Sequence, residues 1–201
     1  YSMSKAITGV AVMMLHEEGH FFLTDPVANY LPEYADMKVA APDGQPVDAK
    51  NSITIRDLLR HTAGITYGGG KNSGKYFRKA SAERGRHNLA AFSELLGSLP
   101  LEDEPGTAWE SGYSIDVLGR LVEVISGQTF DVFLKERLFD PLGMNDTAFH
   151  VPPEKHDRLV TLYSPIAEGG VRVATSRAQD SYKEPALFLS GGGGLVSSTM
   201  D

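Results

Sequence analysis

The protein has 201 residues, a formal net charge of −7 at pH 7 and 41% hydrophobic residues, a composition typical of a globular protein. The acidic balance and the lack of Lys/Arg runs argue against a nucleic-acid partner, and no apolar run reaches the ~18 residues of a transmembrane helix. Cysteine is absent, which excludes disulfide bonds and thiol nucleophiles but leaves the redox compartment open.

The first predicted element is a helix that ends near Gly19, since glycine is common just after a helix. Ser2 and Lys5 stand three residues apart at its start, and residues three apart on a helix share a face, with ~5–6 Å between their Cβ atoms. The spacing therefore predicts a hydroxyl beside an amine at a helix N-terminus. The apolar residues of this helix recur at helical spacing and predict a core-facing stripe: Ile7, Val10, Ala11, Met14 and Leu15.

The Ser2–Lys5 pair has the groups needed for a nucleophile and its base. The first turn of a helix carries unpaired N–H groups and a partial positive charge, which lowers the pKa of a lysine placed there. A neutral Lys5 can accept the proton of Ser2, Ser2 can then attack a carbonyl carbon, and the free N–H groups can stabilise the oxyanion. A Ser-x-x-Lys spacing also arises by chance about once in a chain of this length, so the pair alone does not establish catalysis.

Two further helix starts follow along the chain. Asp25 is predicted to cap a short helix with Pro26 at its first position. The residues between them and the next helix, 33–51, are polar and predicted to form turns. Thr54 and Asp57 have the spacing of a capping box, which predicts the start of another helix.

That helix is predicted to end at His61, where a histidine usually caps or packs but can also serve as an acid or base. Residues 66–88 show no clear periodicity and are predicted to be a loop. Gly68–Gly70 and Lys71 do not make a phosphate-binding loop, because Ile65 stands where that motif needs a glycine. The basic residues beyond predict a solvated loop or lid that borders a site: Lys75, Arg78, Lys79, Arg84 and Arg86.

The second half of the chain has three clear patterns. Residues 88–97 and the stretch from Ile115 to Gly127 show helical periodicity, and Thr129 is predicted to cap another helix. Residues 148–186 are predicted to be extended and loop-like, with Val171-Arg172-Val173 as a short strand.

Seven stretches, taken together, resemble the superfamily of penicillin-binding proteins and class C β-lactamases, nearest its family VIII carboxylesterases. They occur in the family order over nearly the whole chain: residues 1–5 (YSMSK), 25–32 (DPVANYLP), 55–64 (IRDLLRHTAG), 105–109 (PGTAW), 116–127, 141–144 (PLGM) and 190–198. Each stretch is weak by itself, and the set is specific.

The resemblance implies an α/β fold with a large helical domain, the β-lactamase/DD-peptidase-like fold. It implies that Ser2 is the nucleophile, that Lys5 is the general base, and that a tyrosine after Trp109 relays a proton to the leaving group. It implies neither a metal nor an organic cofactor. The family also has a third motif, a Lys/His/Trp-x-Gly strand beside the nucleophile, which this sequence does not contain.

The resemblance also suggests how the chain is divided. Residues 1–20 are expected to hold the nucleophile-bearing core helix, 21–186 a mostly helical domain with loops, and 187–201 an incomplete Gly-rich return to the α/β domain. The glycines of this return allow a close backbone approach to a neighbouring element or to a ligand. Much of the sheet is expected outside the sequence, so we expect a segment of a longer protein that needs flanking segments to complete its fold.

The relay tyrosine departs from the family pattern. It usually stands two residues after the tryptophan, a position occupied here by Ser111, while Tyr113 follows two residues later. In an extended segment that offset moves a side chain by ~6–7 Å. Tyr113 can reach the site through a local shift, Ser111 and a water can replace the phenol, or the relay is lost.

The expected function is therefore hydrolysis of a small carboxylic ester or amide through an acyl-enzyme. Trp109 and Tyr67 are candidate walls of an apolar acyl pocket, with Ser111 beside them. A β-lactamase or D-Ala peptidase is less favoured, because Ile115 stands where a Tyr-x-Asn motif would have asparagine. A catalytically impaired acyl-binding or sensor domain is the non-enzymatic alternative. The sequence leaves the oligomeric state open, as well as a bacterial-type cytoplasmic or periplasmic location.

Overall fold

The computed structural model describes residues 1–42, 45–174 and 180–201. Its α-helices are α1 Ser4–Glu17, α2 Ile55–Arg60, α3 Gly74–Glu83, α4 Leu89–Gly97, α5 Ser114–Ser126, α6 Phe130–Leu134 and α7 Asp140–Leu142. A π-helical stretch, Lys135–Phe139, joins α6 to α7. Short 3₁₀ turns lie at Val27–Asn29, Pro32–Tyr34, Arg84–Arg86 and Pro153–Arg158.

The strands of the described residues are short and form antiparallel pairs. They are β1 Lys38–Ala40 with β2 Pro46–Asp48, and β3 Tyr163–Pro165 with β4 Val171–Val173. The segment is thus mainly helical with small sheets, as the resemblance implies, and β4 is the predicted strand. The predicted turns at 43 and 44 and the predicted extended stretch at 175–179 lie outside the described residues.

Helix α5 lies at the centre of the core and packs against α1, α2, α4 and α6. Of the apolar residues at helical spacing in this helix, Ile115, Leu118 and Val122 are at most 4% exposed, and Ile125 is half-buried against the core. Burial of each such side chain stabilises the fold by about 1.5–3 kcal/mol relative to exposure. Gly127 ends the helix as predicted, in the left-handed conformation with φ +71°.

Helix α1 buries most of the predicted stripe: Ala11 and Leu15 lie in the core, and Ile7 and Met14 are partly buried against it. Val12 is buried as well, whereas Val10, predicted to face the core, is 45% exposed. The prediction was wrong at Val10 because α1 is apolar around most of its circumference, so spacing does not single out one face. The other apolar face lines a shallow groove formed by Ala6, Gly9, Val10, Met13, Met14 and Glu17. Cover of this face by a sheet from flanking segments stays a prediction.

The two helix-start predictions had different outcomes. The capping box of α2 is present: the Thr54 hydroxyl accepts the Asp57 N–H, and the Asp57 carboxylate accepts the Thr54 N–H, both at 3.1 Å. The prediction for Asp25 was wrong, because its carboxylate accepts the N–H of Phe22 at 2.9 Å and a 3₁₀ turn follows. The short run before the next proline leaves no room for an α-helix.

Residues 74–83 form helix α3, where a loop was predicted. Phe77 and Ala80, three residues apart, are buried, while the basic side chains of α3 are exposed. Only these two apolar positions carry the helical pattern, and the glycines and lysines around them conceal it. The predicted basic loop is therefore the exposed face of α3 and the 3₁₀ turn that follows it.

Candidate active site

The side chains of Ser2 and Lys5 are in direct contact at the start of α1. The Lys5 Nζ donates a hydrogen bond to the Ser2 Oγ at 3.0 Å. Ser2 lies in the turn that leads into the helix, and its carbonyl oxygen accepts the Lys5 N–H at 3.1 Å. Because a neutral amine can accept a proton along the same line, this contact has the geometry of a nucleophile and its base.

Partial burial shifts the protonation equilibrium of Lys5 towards the neutral amine. It does so by lowering the pKa of Lys5 below its ordinary value, and the nearby Asp116 carboxylate opposes this shift. The sequence suggested the helix N-terminus as the cause, whereas the structure adds desolvation as the main one. His61 also lies within electrostatic reach, since its pKa is lowered by burial and by the charge of Lys5.

A backbone carbonyl completes the surroundings of the amine. The Lys5 Nζ also donates to the carbonyl oxygen of Gly192 at 2.5 Å, a contact between residues 187 positions apart in the chain. Sequence reasoning missed this acceptor because it is a main-chain atom brought in by tertiary folding. The Gly-rich stretch was the available signal, since it marks where a backbone approaches another element closely.

The Gly-rich segment, residues 190–194, lies between α1 and α5. On the α1 side, Thr8 donates its hydroxyl to the Gly191 carbonyl oxygen at 2.8 Å, and the Leu195 N–H donates to the Ser4 hydroxyl at 3.0 Å. On the α5 side, a Cβ at Gly191 would lie 2.7 Å from the carbonyl oxygen of Ile115. The glycines therefore permit the close approach to a neighbouring element that was one of the two sequence alternatives.

A second residue that sequence reasoning missed is Asp116. It is 3% exposed, and its Oδ1 accepts the Ser190 hydroxyl at 2.5 Å and the Gly192 N–H at 3.2 Å. Burial raises the pKa of Asp116, and these hydrogen bonds and the charges of Arg84 and Lys5 counteract the shift. The signal in the sequence was a carboxylate within the apolar run of α5.

Tyr113, the sequence candidate for the relay, is buried away from solvent. Its ring packs edge-on against Phe92 at 5.0 Å and against Tyr67 at 4.6 Å between centroids. Its hydroxyl donates to the hydroxyl of Ser81 at 2.7 Å. Tyr113 therefore contacts Ser81 and Tyr67. Its hydroxyl hydrogen bond is made to Ser81 and not to Ser2 or Lys5.

Tyr67 borders the Gly-rich segment. Its hydroxyl lies 3.2 Å from the position that a Cβ on Gly192 would take, next to the carbonyl group that holds Lys5. Burial and the neighbouring Asp116 raise the pKa of Tyr67 to about 12, so its phenol is protonated at neutral pH. Because Tyr67 remains 37% exposed, it stays a candidate wall of the predicted acyl pocket.

The other two candidates, Trp109 and Ser111, contact His61 and Tyr67 respectively. Trp109 is 68% exposed, and its ring lies 6.2 Å from that of His61. Ser111 is half-buried, and its carbonyl oxygen accepts the Tyr67 N–H at 3.4 Å. Among the described residues, Ser111 thus contacts Tyr67 through its backbone carbonyl group rather than through its hydroxyl.

The described residues contain no group of three or more His, Asp or Glu side chains arranged to hold a metal ion. Within the same residues, no helix is both long and apolar enough to cross a bilayer.

Comparison with known proteins decides the family. The sequence profile of the beta-lactamase family matches residues 1–201. The chain belongs to the beta-lactamase family. It is 33% identical over 207 residues to an uncharacterized protein of Mycobacterium tuberculosis, covering 100% of this chain and 50% of that protein. It is 30% identical over 220 residues to the esterase EstB of Burkholderia gladioli, covering 100% of this chain and 53% of the esterase.

Solved structures agree with the sequence match. The LovD6 mutant of simvastatin synthase from Aspergillus terreus superposes with a TM-score of 0.77 at 28% identity, over 98% of this chain and 48% of that one. The resemblance and the fold class drawn from the motifs are therefore confirmed. The chain spans about half the length of the curated relatives it matches.

Proposed function

We propose that the protein is a serine hydrolase that cleaves small carboxylic esters through an acyl-enzyme on Ser2, with Lys5 as the general base. The observation that carries the proposal is the 3.0 Å contact between the Lys5 Nζ and the Ser2 Oγ. Burial supports it, because the lowered pKa of Lys5 increases the fraction of neutral amine at a given pH.

The first half of the reaction follows from this pair. Neutral Lys5 takes the proton of Ser2 as the Ser2 Oγ forms a bond to the carbonyl carbon of the ester. The carbonyl oxygen becomes an oxyanion, for which the backbone N–H of Ser2 is a candidate donor. The intermediate collapses, the bond to the alcohol oxygen breaks, and the alcohol leaves with the proton that Lys5 had accepted. The Gly192 carbonyl oxygen keeps the amine oriented during these steps.

The second half regenerates the enzyme. Lys5, again neutral, takes a proton from water, and the hydroxide formed attacks the acyl carbon on Ser2. Collapse of this second intermediate releases the carboxylic acid and returns a proton to the Ser2 Oγ.

Esters are favoured over amides by the surroundings of Tyr113. An amine leaving group must be protonated before it departs, whereas the alcohol of an ester depends less on a second proton donor besides Lys5. The Tyr113 hydroxyl is engaged with Ser81, so the structure supplies no phenol from that position for the leaving group. The likeness to EstB, named an esterase, supports the same substrate class.

The test is the turnover of p-nitrophenyl butyrate by the purified protein and by Ser2→Ala. The proposal expects turnover that is lost in Ser2→Ala and kept in Ser98→Ala, a control at an exposed serine at the end of α4. Retained turnover in Ser2→Ala would contradict the assignment of the nucleophile. Hydrolysis of a chromogenic cephalosporin faster than of the ester would move the substrate class to β-lactams.

A slowly deacylating acyl-binding domain is the second candidate function. The contact between Tyr113 and Ser81 favours it, because a missing relay slows the release of the acyl group more than its capture when the first leaving group is good. Stoichiometric labelling of Ser2 by a fluorophosphonate, combined with negligible ester turnover, would select this candidate.

A further inference from the structure

A buried carboxylate on α5 is connected to the Ser2–Lys5 pair through one residue of the Gly-rich segment. Asp116 accepts the Gly192 N–H at 3.2 Å and the Ser190 hydroxyl at 2.5 Å. The carbonyl oxygen of the same Gly192 accepts from the Lys5 Nζ at 2.5 Å, and that nitrogen lies 3.0 Å from the Ser2 Oγ. Gly192 is therefore held by Asp116 at its N–H and holds Lys5 at its carbonyl group.

From this series of contacts we propose that Asp116 is a positioning residue, which fixes Gly192 so that the Gly192 carbonyl oxygen keeps the Lys5 amine beside Ser2. The inference rests on the proposed function, because it takes Lys5 as the base of Ser2. Asp116 acts on the reaction only through Gly192 and Lys5.

The location of Asp116 in α5 is costly for a carboxylate. Its neighbours Ile115, Val117 and Leu118 are buried apolar residues, and a buried charge destabilises a fold unless its partners compensate for the lost solvation. The donors that compensate come from residues 190 and 192. A Cβ on Gly192 would lie 2.8 Å from the Asp116 Oδ2, so the carboxylate and this glycine fit closely against each other.

The Gly-rich segment is held in place by other hydrogen bonds besides those of Asp116. The hydrogen bonds of Thr8 with Gly191 and of Leu195 with Ser4 already attach both sides of Gly192 to α1. Asp116 holds the same peptide unit, between Gly191 and Gly192, from the α5 side, and so limits the direction in which the next carbonyl oxygen, that of Gly192, can point. That direction matters for Lys5, because small displacements of a catalytic group cost large factors in rate.

The charge of Asp116 and its geometry have separable effects. The charge raises the pKa of Lys5 and so opposes the base, whereas the acceptor oxygen positions it. A change from carboxylate to amide removes the first effect and keeps an acceptor. Among the described residues, the other charged or titratable side chains within electrostatic reach of Asp116 or Lys5 are those of Arg84, Tyr34, Tyr67 and His61.

The experiment measures the second-order rate at which a fluorophosphonate phosphonylates the purified protein, with release of fluoride, as a function of pH, by intact mass. This readout needs no turnover. The variants are Asp116→Asn, Asp116→Ala and Ser190→Ala. Glu123→Gln is the matched control, since Glu123 lies on the same helix and its carboxylate accepts the Phe130 N–H at 3.2 Å and pairs with Arg120. Circular dichroism and thermal melting follow the fold of each variant.

Asp116→Asn is expected to stay within about threefold of the parent rate at its plateau and to shift the rise of the rate to lower pH, because loss of the negative charge lowers the pKa of Lys5. Asp116→Ala is expected to lose about tenfold or more at every pH, and Ser190→Ala an intermediate factor without a shift. Glu123→Gln is expected to lower only the melting temperature. His61→Asn identifies any part of the pH profile that belongs to the imidazole.

The inference would be overturned by a folded Asp116→Ala with the parent rate, or by a folded Asp116→Asn that loses as much of the rate as Asp116→Ala. If Asp116→Ala does not fold, the Asp116→Asn and Ser190→Ala rates decide, by comparison with the factors expected for them. These failures differ from failure of the proposed function, in which the parent is not labelled at all or Ser2→Ala is labelled as fast as the parent.

Discussion

The same resemblance assigned catalytic residues to the start of α1 and to the stretch from Trp109 to Tyr113. In the structure, only the residues at the start of α1 contact each other as the resemblance implies. At the start of α1 the two assigned side chains touch. In the second stretch, the Tyr113 hydroxyl turns to Ser81, and Trp109 is largely exposed. The Ser2–Lys5 contact follows from helical spacing, which can be read from the sequence. The direction of the Tyr113 side chain, just before α5, depends instead on the residues that pack against it.

The largest effect is expected from a substitution that removes the contact between Lys5 and Ser2. Lys5→Met keeps the length of the side chain and removes the base, so phosphonylation of Ser2 by the fluorophosphonate should slow by ~10²–10⁴-fold. The second-order rate of labelling measures this, with Lys38→Met as a control at an exposed lysine paired with Asp48. An unchanged rate for Lys5→Met would show that the 3.0 Å contact has no part in activating Ser2.

The next largest effect is expected from a substitution at Gly192, whose carbonyl oxygen holds the Lys5 amine. In Gly192→Ala the added Cβ would lie 2.8 Å from the Asp116 Oδ2 and 3.2 Å from the Tyr67 hydroxyl, so the segment must shift. We expect a loss of about 1–3 kcal/mol of stability and a reduced rate of phosphonylation.

Gly9→Ala is the matched control for this substitution. A Cβ there meets nothing within 4 Å, and alanine in a helix interior should stabilise α1 by about 0.5–1 kcal/mol. Thermal melting and labelling compare the two variants. Equal behaviour of Gly192→Ala and Gly9→Ala would contradict the close packing at residue 192.

The smallest effect is expected at Tyr113, and it tests whether this residue is the proton relay. Tyr113→Phe removes the hydrogen bond to Ser81, which should cost about 0.5–1.5 kcal/mol of stability. The phosphonylation and ester-turnover rates should change by less than about threefold, because this hydroxyl does not contact the pair. A loss of about tenfold or more in turnover would instead restore the prediction that Tyr113 is the relay. Tyr67→Phe, measured beside it, tests the phenol that borders Gly192.

Elements set by local chemistry were predicted well. The capping box of Thr54 and Asp57, the stripe of α5 and its end at Gly127 all depend on residues within a few positions of each other. Helix α3 was missed because only Phe77 and Ala80 mark its buried side. In α1 only Val10 was misassigned, because the apolar residues of that helix extend beyond the side that faces the core.

The candidate site was predicted only as far as α1 reaches. The Gly192 carbonyl oxygen and Asp116 come from segments far apart in the chain, and a main-chain acceptor leaves no signature in residue identity. The sequence contained hints of both, in a run of glycines and in one carboxylate among apolar helix residues. Neither hint specifies a partner, because the partner is determined by how α1, α5 and the Gly-rich segment pack together.

The most direct test of the account is to find which residue the fluorophosphonate modifies. Digestion of the labelled protein and tandem mass spectrometry should place a single adduct on Ser2, and labelling should disappear in Ser2→Ala. An adduct on Ser81, Ser111 or Ser190, or undiminished labelling of Ser2→Ala, would contradict the proposal that Ser2 is the acylated residue.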